Sequence, residues 1–350
     1  MGFWTDRARF AGKAAAAFGT AVLCCGLLLV GCTTGAGNAA SGNGADASGA
    51  SVSSAAVAQS SAADDGEGAG SANVGQASVP DKPNADALYQ VLEEDEATRL
   101  IELANTDANV AWVAANPDAY ADYGYEAQAK LLKLVADDPL AASYVRNFND
   151  RYPAEGPDYN APAMDTGSPS PDVPETGMPH LYQWDERWGY VPYGGFCMGV
   201  SACGPTSLAI IYQGLTGDNS VSPYDMAQLA YEMGCVSNLG TGNNLLYDAC
   251  EALGLVCWEI PATAESIVEA LGNGTPIIAN VGIGYFSTSG HFFVLAGITD
   301  DGLVILNDPY SVTRSSLLWD PEFIASESMM LIAYAPAEWV ESAESAEPVE

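Results

Sequence analysis

An apolar helical run that begins with a cysteine is the feature that most constrains the fold of this chain. The run reads Leu-Ala-Ile-Ile-Tyr over 208–212 and ends at Gly214. Pro205 and Thr206 suit the first turn of a helix, which places Cys203 at the helix N-terminus. The helix macrodipole favours a negative charge at that end, and therefore the thiolate form of the side chain.

Position alone leaves three interpretations of Cys203 open. It could be a reactive thiol, a buried structural residue, or one half of a disulfide whose nearest partner is Cys197. A structural cysteine would more naturally lie in the middle of such a helix, among Leu and Ile. A reactive thiol needs a base, and the chain offers only His180 and His291.

His291 opens a short predicted strand, and Asp308 lies at the end of the next one. The two strands cover 291–297 and 303–309, with a turn of Thr, Asp, Asp and Gly between them. A loop of two or four residues would put His291 and Asp308 on the same sheet face as diagonal neighbours, whereas a three-residue loop would not. In the first case the carboxylate can orient the imidazole, as in catalytic triads generally.

Four short motifs follow one another in the C-terminal half. They are Gln183-Trp184-Asp185-Glu186-Arg187-Trp188, Cys203-Gly204-Pro205-Thr206, Gly290-His291 and Asp308-Pro309. In this order they resemble the bacteriocin-processing (double-glycine leader) peptidases and, more closely, their secreted relatives in the papain superfamily. The resemblance covers about residues 180 to 334, under half of the chain.

This resemblance implies an α+β fold of the papain-like cysteine peptidase type, in which the nucleophile helix packs on an antiparallel β-sheet. It implies a peptidase with Cys203 as nucleophile, His291 as base and Asp308 as the residue that orients the base. Gln183 would donate its side-chain amide to the oxyanion, alongside backbone N–H groups near the nucleophile. Hydrolysis of a peptide or protein substrate by these residues needs no metal and no organic cofactor.

The N-terminus has the three parts of a bacterial lipoprotein signal peptide. Its positive start contains Arg7, Arg9 and Lys13. No residue from 14 to 31 is charged, and the stretch ends Leu-Val-Gly-Cys at 29–32. This ending resembles a lipobox and implies that Cys32 is diacylated and anchors the protein in the membrane. The alternative is an uncleaved membrane-spanning anchor, near the lower length limit for a span. Both interpretations predict an extracytoplasmic protein at the cell membrane.

Cysteines outside the signal region all lie in the C-terminal half: Cys197, Cys203, Cys235, Cys250 and Cys257. In an exported protein this odd number leaves at least one thiol without an internal partner. Cys250 and Cys257 flank a predicted helix end and strand start, so they are one plausible pair. A structural zinc site is not expected, because the chain has no Cys-x-x-Cys motif and only two histidines.

Composition divides the chain into six parts. They are a signal peptide (1–31), an Ala/Gly/Ser tether (32–84), a small helical module (85–152), a Pro-rich linker (153–178), the papain-like domain (179–336) and an acidic tail (337–350). The tether has too few large apolar side chains to offset its ordering entropy, although a glycosylated stalk is an alternative. In the helical module Asp107 and Asp138 are predicted N-caps, the second followed by Pro139. We expect a packing module without chemistry of its own, and covering of the active-site groove is the alternative hypothesis.

The charge balance limits the possible partners. With 45 acidic and 11 basic residues the formal net charge is -34, which argues against nucleic acid because phosphate binding needs clustered Lys and Arg. Two other functions stay open: an amidase acting on cell-wall peptide cross-links with the same residues, and a catalytically silent surface binding protein. The intact Cys, His and Asp set favours an enzyme. No pattern specifies an oligomeric state.

Overall fold

One six-stranded antiparallel sheet organises the C-terminal half of the chain. The computed structural model describes residues 82–164 and 170–339. Their strands are β1 (Pro192–Tyr193), β2 (Phe196–Cys197), β3 (Val236–Ser237), β4 (Gly240–Thr241), β5 (Leu255–Ile260), β6 (Ile277–Val281), β7 (His291–Ile298), β8 (Val304–Asn307), β9 (Leu318–Trp319) and β10 (Ser328–Pro336). The large sheet has the order β5-β10-β6-β7-β8-β9, while β1 with β2 and β3 with β4 form two small ribbons.

Thirteen α-helices lie wholly within the described residues. Six precede the strands: α1 (Ala85–Val91), α2 (Glu94–Leu103), α3 (Ala108–Ala115), α4 (Tyr125–Asp137), α5 (Ala142–Arg146) and α6 (Phe148–Arg151), with 3₁₀ turns at Pro117–Tyr123 and Pro139–Ala141. Seven lie among the strands: α7 (Met198–Ser201), α8 (Cys203–Thr216), α9 (Pro223–Glu232), α10 (Leu245–Leu253), α11 (Ala264–Gly272), α12 (Val312–Ser315) and α13 (Pro321–Glu327). The predicted α+β class with an antiparallel sheet is confirmed.

Helix α8 is the helix predicted from the apolar run. Every residue from 204 to 213 is buried, and α8 lies against β7 of the sheet and against α9. The helix is longer than predicted, because it passes Gly214 and ends at Thr216 with Gly217 as a left-handed C-cap. Burial of a helix on nearly all sides explains why its sequence is apolar rather than amphipathic.

The helices before residue 152 share a hydrophobic core with the segment that follows them. Tyr144 of α5 stacks on Tyr190 at a centroid distance of 4.6 Å, and its hydroxyl donates a 3.0 Å hydrogen bond to the Gly189 carbonyl. Trp184 and Cys197 belong to the same buried cluster. All described residues therefore lie in one compact unit.

The predicted linker contains no helix or strand in its described part, and it follows the surface of the domain. Ala154 N donates to the Tyr190 carbonyl at 3.1 Å, and Arg151 forms an ion pair with Asp158 at 2.9 Å. None of the described helices is long and apolar enough to span a membrane. The predicted signal peptide, the lipidation site Cys32, the tether up to residue 81, residues 165–169 of the linker and 340–350 of the tail lie outside the described residues.

Candidate active site

Cys203 is the first residue of α8 and is half-buried. The chain approaches it closely through β4, since a Cβ on the next residue, Gly204, would lie 2.8 Å from the Thr241 side chain. Glycine is therefore required at 204 for β4 to reach the helix start. The short helix α7 and the residue Ala202 precede Cys203, and no side chain caps α8.

His291 and Asp308 meet across the β7–β8 hairpin. His291 Nε2 lies 2.7 Å from Asp308 Oδ1, and both side chains are buried. The loop between the strands has five residues, 299–303, and not the two or four that the prediction required. A bulge at Ala296 shifts the register by one residue, so Val294 pairs with Asn307 and the diagonal relation is restored.

The charge on the imidazole depends on its neighbours. Burial by itself would lower the pKa of His291, but the Asp308 carboxylate and the Cys203 thiol outweigh burial and raise that pKa from 6.5 to about 9. Because Nε2 contacts Asp308, Nδ1 is the ring nitrogen that remains for an interaction with the Cys203 thiol. The imidazolium is thus the favoured form at neutral pH, next to the thiol.

Arg314 is a further charged residue of the site that sequence analysis missed. Its Nε lies 3.1 Å from Asp308 Oδ2, and its Nη1 donates to the Phe286 carbonyl at 2.7 Å. Burial would raise the pKa of Asp308, but the guanidinium and His291 lower it below the ordinary value. A signal was present in the sequence, because Arg314 is one of only 11 basic residues and follows Asp308 by six positions.

Gln183 lies in the same cleft as Cys203. Its Nε2 donates a 3.0 Å hydrogen bond to the Gly199 carbonyl, which uses one of the two amide hydrogens. Its backbone N–H donates to the Pro309 carbonyl at 2.8 Å, directly after Asp308. The segment that begins with Gln183 is therefore tied both to the chain before α8 and to the chain after β8.

Other sulfur and imidazole groups lie apart from this centre. The five cysteines of the described residues are free, so Cys203 is not bonded to Cys197. Cys197 is buried beside the Tyr144 hydroxyl at 3.4 Å, and burial raises the pKa of its thiol to about 12. The sulfurs of Cys250 and Cys257 lie 2.8 Å apart as thiols. His180 is absent from the residues that line the cleft.

The cleft beside Cys203 has a volume of about 550 Å³ and is lined by both halves of the chain. One side consists of charged residues at and after the start of α2 and on α4: Glu93, Asp95, Glu96, Arg99, Lys130, Lys133 and Asp137. The other includes the loop 284–290 and the chain from Tyr310 to Arg314. The upstream helices thus line part of the cleft, as the alternative hypothesis that they cover the active-site groove requires. Within the described residues no group of three or more His, Cys, Asp or Glu could hold a metal ion.

Two comparisons with known proteins found similarity to this chain. Residues 175–329, which include Gln183, Cys203, His291 and Asp308, match the Peptidase C39-like family. The crystal structure of the peptidase domain of Streptococcus ComA, a bi-functional ABC transporter involved in a quorum sensing pathway, is similar to 39% of this chain and 91% of that chain, with 25% sequence identity and a TM-score of 0.31. No curated protein matches the sequence. On the family match, which extends over the segment that carries the site, this protein is a cysteine peptidase with a papain-like α+β fold.

Proposed function

We propose that the peptidase works through a triad of Cys203, His291 and Asp308. The observation that supports it most directly is the buried imidazole of His291. Its Nε2 lies 2.7 Å from Asp308 Oδ1, and the ring also interacts with the Cys203 thiol. A base held between a carboxylate and a thiol is placed to accept the thiol proton, which leaves sulfur as the nucleophile.

Peptide-bond hydrolysis then follows in two steps. The Cys203 thiolate attacks the scissile carbonyl carbon and the C=O electron pair moves to oxygen; as the tetrahedral state collapses, the imidazolium gives its proton to the leaving amine. Water next attacks the thioester, with neutral His291 accepting a proton from it, and the acid product leaves as the thiol group is restored. Asp308 holds the imidazole in one orientation throughout.

Gln183 is the proposed side-chain donor to the oxyanion. Its amide lines the cleft, and its second N–H is left after the bond to the Gly199 carbonyl. The backbone N–H groups at the start of α8 are the natural second donors, because the first turn of a helix has no internal acceptors for them.

We further propose that the protein is an extracytoplasmic lipoprotein anchored through Cys32. The support is the positive start, the uncharged stretch 14–31 and the Leu-Val-Gly-Cys ending. The Cys32→Ser variant is expected not to incorporate a clickable fatty acid. It is also expected to be absent from the membrane fraction after cell fractionation. A variant that incorporates the fatty acid and stays in the membrane fraction would contradict the proposal.

Thiol reactivity tests the triad without knowledge of the substrate. Under limiting iodoacetamide, mass spectrometry should find Cys203 alkylated before Cys257, the other half-buried thiol among the described residues. In His291→Ala the rate at Cys203 should fall at least about tenfold, while the rate at Cys257 stays the same. Equal rates at the two thiols, or no effect of His291→Ala, would refute the assignment.

Activity is measured next with an internally quenched peptide library and, in parallel, with purified peptidoglycan. Cys203→Ala should abolish hydrolysis while its thermal unfolding midpoint stays near that of the unmodified chain. Release of amines from peptidoglycan but not from the library would identify cell-wall peptides as the substrate class, with the same triad at work.

A further inference from the structure

Asp138 connects the N-terminal helices to the chain that follows Asp308. It lies between α4 and α5 and is completely buried. Its Oδ2 accepts hydrogen bonds from the Ser311 hydroxyl at 3.2 Å and from the Thr313 N–H at 3.0 Å. Its Oδ1 accepts from Leu140 N at 3.3 Å, which is the ordinary N-cap contact predicted from the sequence.

The chain that Asp138 holds is the one that positions the acid and the cation of the site. Ser311 N donates to the Asp308 carbonyl at 3.3 Å, and the Ser311 hydroxyl caps α12 by accepting from Arg314 N at 3.1 Å. Arg314 in turn lies against Asp308. A displacement of α12 would therefore move Arg314, which faces Asp308 Oδ2, and the turn that bears Asp308.

Capping a helix does not require such burial. Asp107 caps α3 in the same way, by accepting from the N–H groups of Asn109 and Val110, and it is exposed. A buried carboxylate is costly unless hydrogen bonds compensate it. Burial raises the pKa of Asp138, whereas the bonds from Thr313, Leu140 and Ser311 lower it, and among the described residues no cation pairs with it.

We infer that Asp138 is a positioning residue, through which the N-terminal helices hold the catalytic loop 308–315 in the geometry needed for peptide hydrolysis. The inference rests on the proposed triad. It also extends the site beyond residues 175–329, the segment similar to the peptidase family, because Asp138 lies 37 positions before that segment begins. The other charged groups near the loop include Asp137, which accepts from the Tyr310 hydroxyl at 3.5 Å. Asp137 pairs with Lys133 and Arg99, and Lys133 also pairs with Glu96.

The test compares three variants: Asp138→Ala, the conservative Asp138→Asn, and the control Asp107→Ala. The chain contains only two histidines, so NMR titration of the imidazoles gives two assignable signals. In Asp138→Ala the loosened loop weakens the contact of Asp308 with His291, and the His291 titration should move down by about one pH unit, a tenfold change in proton affinity. Asp138→Asn keeps an acceptor for Ser311 and Thr313, so its His291 should titrate close to the pH found in the unmodified protein. Asp107→Ala should leave the titration unchanged.

Kinetics provide the second measurement. Asp138→Ala should lower kcat about tenfold with little change in KM, because the loop acts on the reacting groups rather than on substrate binding. An unchanged His291 titration in folded Asp138→Ala would overturn the inference. If that variant does not fold, Ser311→Ala removes one of the two contacts and should shift the titration in the same direction; no shift there would overturn it equally. The titration needs no substrate, so a shift in a chain that cleaves no peptide would leave the positioning role standing and reject the triad.

Discussion

Replacing Asp308 with Asn tests how a buried histidine keeps its charge. The pKa of His291 is about 9 in the folded protein, against about 6.5 for an unperturbed imidazole. This difference corresponds to roughly 3 kcal/mol of preference for the imidazolium. Asn preserves the shape of the side chain but removes its charge. Because burial acts to lower the pKa, we expect His291 in Asp308→Asn to titrate below 6.5.

The same change predicts how stability depends on pH. A group whose pKa is raised on folding stabilises the protein fully below its unfolded pKa, and the stabilisation disappears as pH rises through its folded pKa. The contribution of His291 is therefore complete below pH 6.5 and is lost as pH rises through about 9. The unfolding free energies of the unmodified protein and Asp308→Asn should differ most at the acidic end of the range, and the difference should shrink by at least roughly 3 kcal/mol by pH 10.

Urea denaturation between pH 5.5 and pH 10 measures this difference. Loss of the contact with Arg314 adds a part that does not depend on pH over this range, so the change in the difference is the informative quantity. The control is the same substitution in a His291→Gln background, where the difference should be constant. A constant difference in the unmodified background would refute the claim that Asp308 maintains the charge on His291.

Two further predictions concern packing and thiol chemistry. Gly199→Ala would place a methyl group in collision with the Tyr144 hydroxyl and should lower the free energy of unfolding, measured by urea denaturation, by about 2 kcal/mol or more. Gly272→Ala is the control, because its methyl group meets open space in α11 and should change the free energy of unfolding little. Cys250 and Cys257 should form an intramolecular disulfide with oxidised glutathione, seen by mass spectrometry as a loss of two hydrogens, because their sulfurs already lie 2.8 Å apart; persistence of both free thiols would contradict the arrangement.

Short-range patterns in the sequence predicted local structure well. The apolar run after Cys203 predicted a buried helix, and Asp107 and Asp138 predicted helix caps that are present in the structure. These features depend on neighbours within four residues, which a single sequence shows directly. The end of α8 was less predictable, since Gly214 lies within the helix and Gly217 ends it.

Long-range geometry was predictable only in part. His291 and Asp308 were expected as diagonal neighbours for one set of loop lengths, and the observed five-residue loop is not in that set. The bulge at Ala296 restores the relation, but a bulge leaves no clear trace in hydrophobic alternation. Arg314 was missed because its role depends on the turn that brings α12 back toward Asp308.

The contact between Asp138 and Thr313 bridges 175 sequence positions, and no local pattern could indicate it. The burial of the active site explains why this contact matters. A buried imidazole loses its charge unless a carboxylate is fixed beside it, and a carboxylate on a turn is fixed only as well as the turn itself. Two sets of contacts fix this turn. Asp138, which lies outside the family-matched segment, accepts hydrogen bonds from Ser311 and Thr313. Ser315, which lies within that segment, accepts a hydrogen bond from Asp308 N at 2.9 Å. The upstream helices are then a structural condition for a charged His291, which explains why they share one hydrophobic core with the peptidase segment.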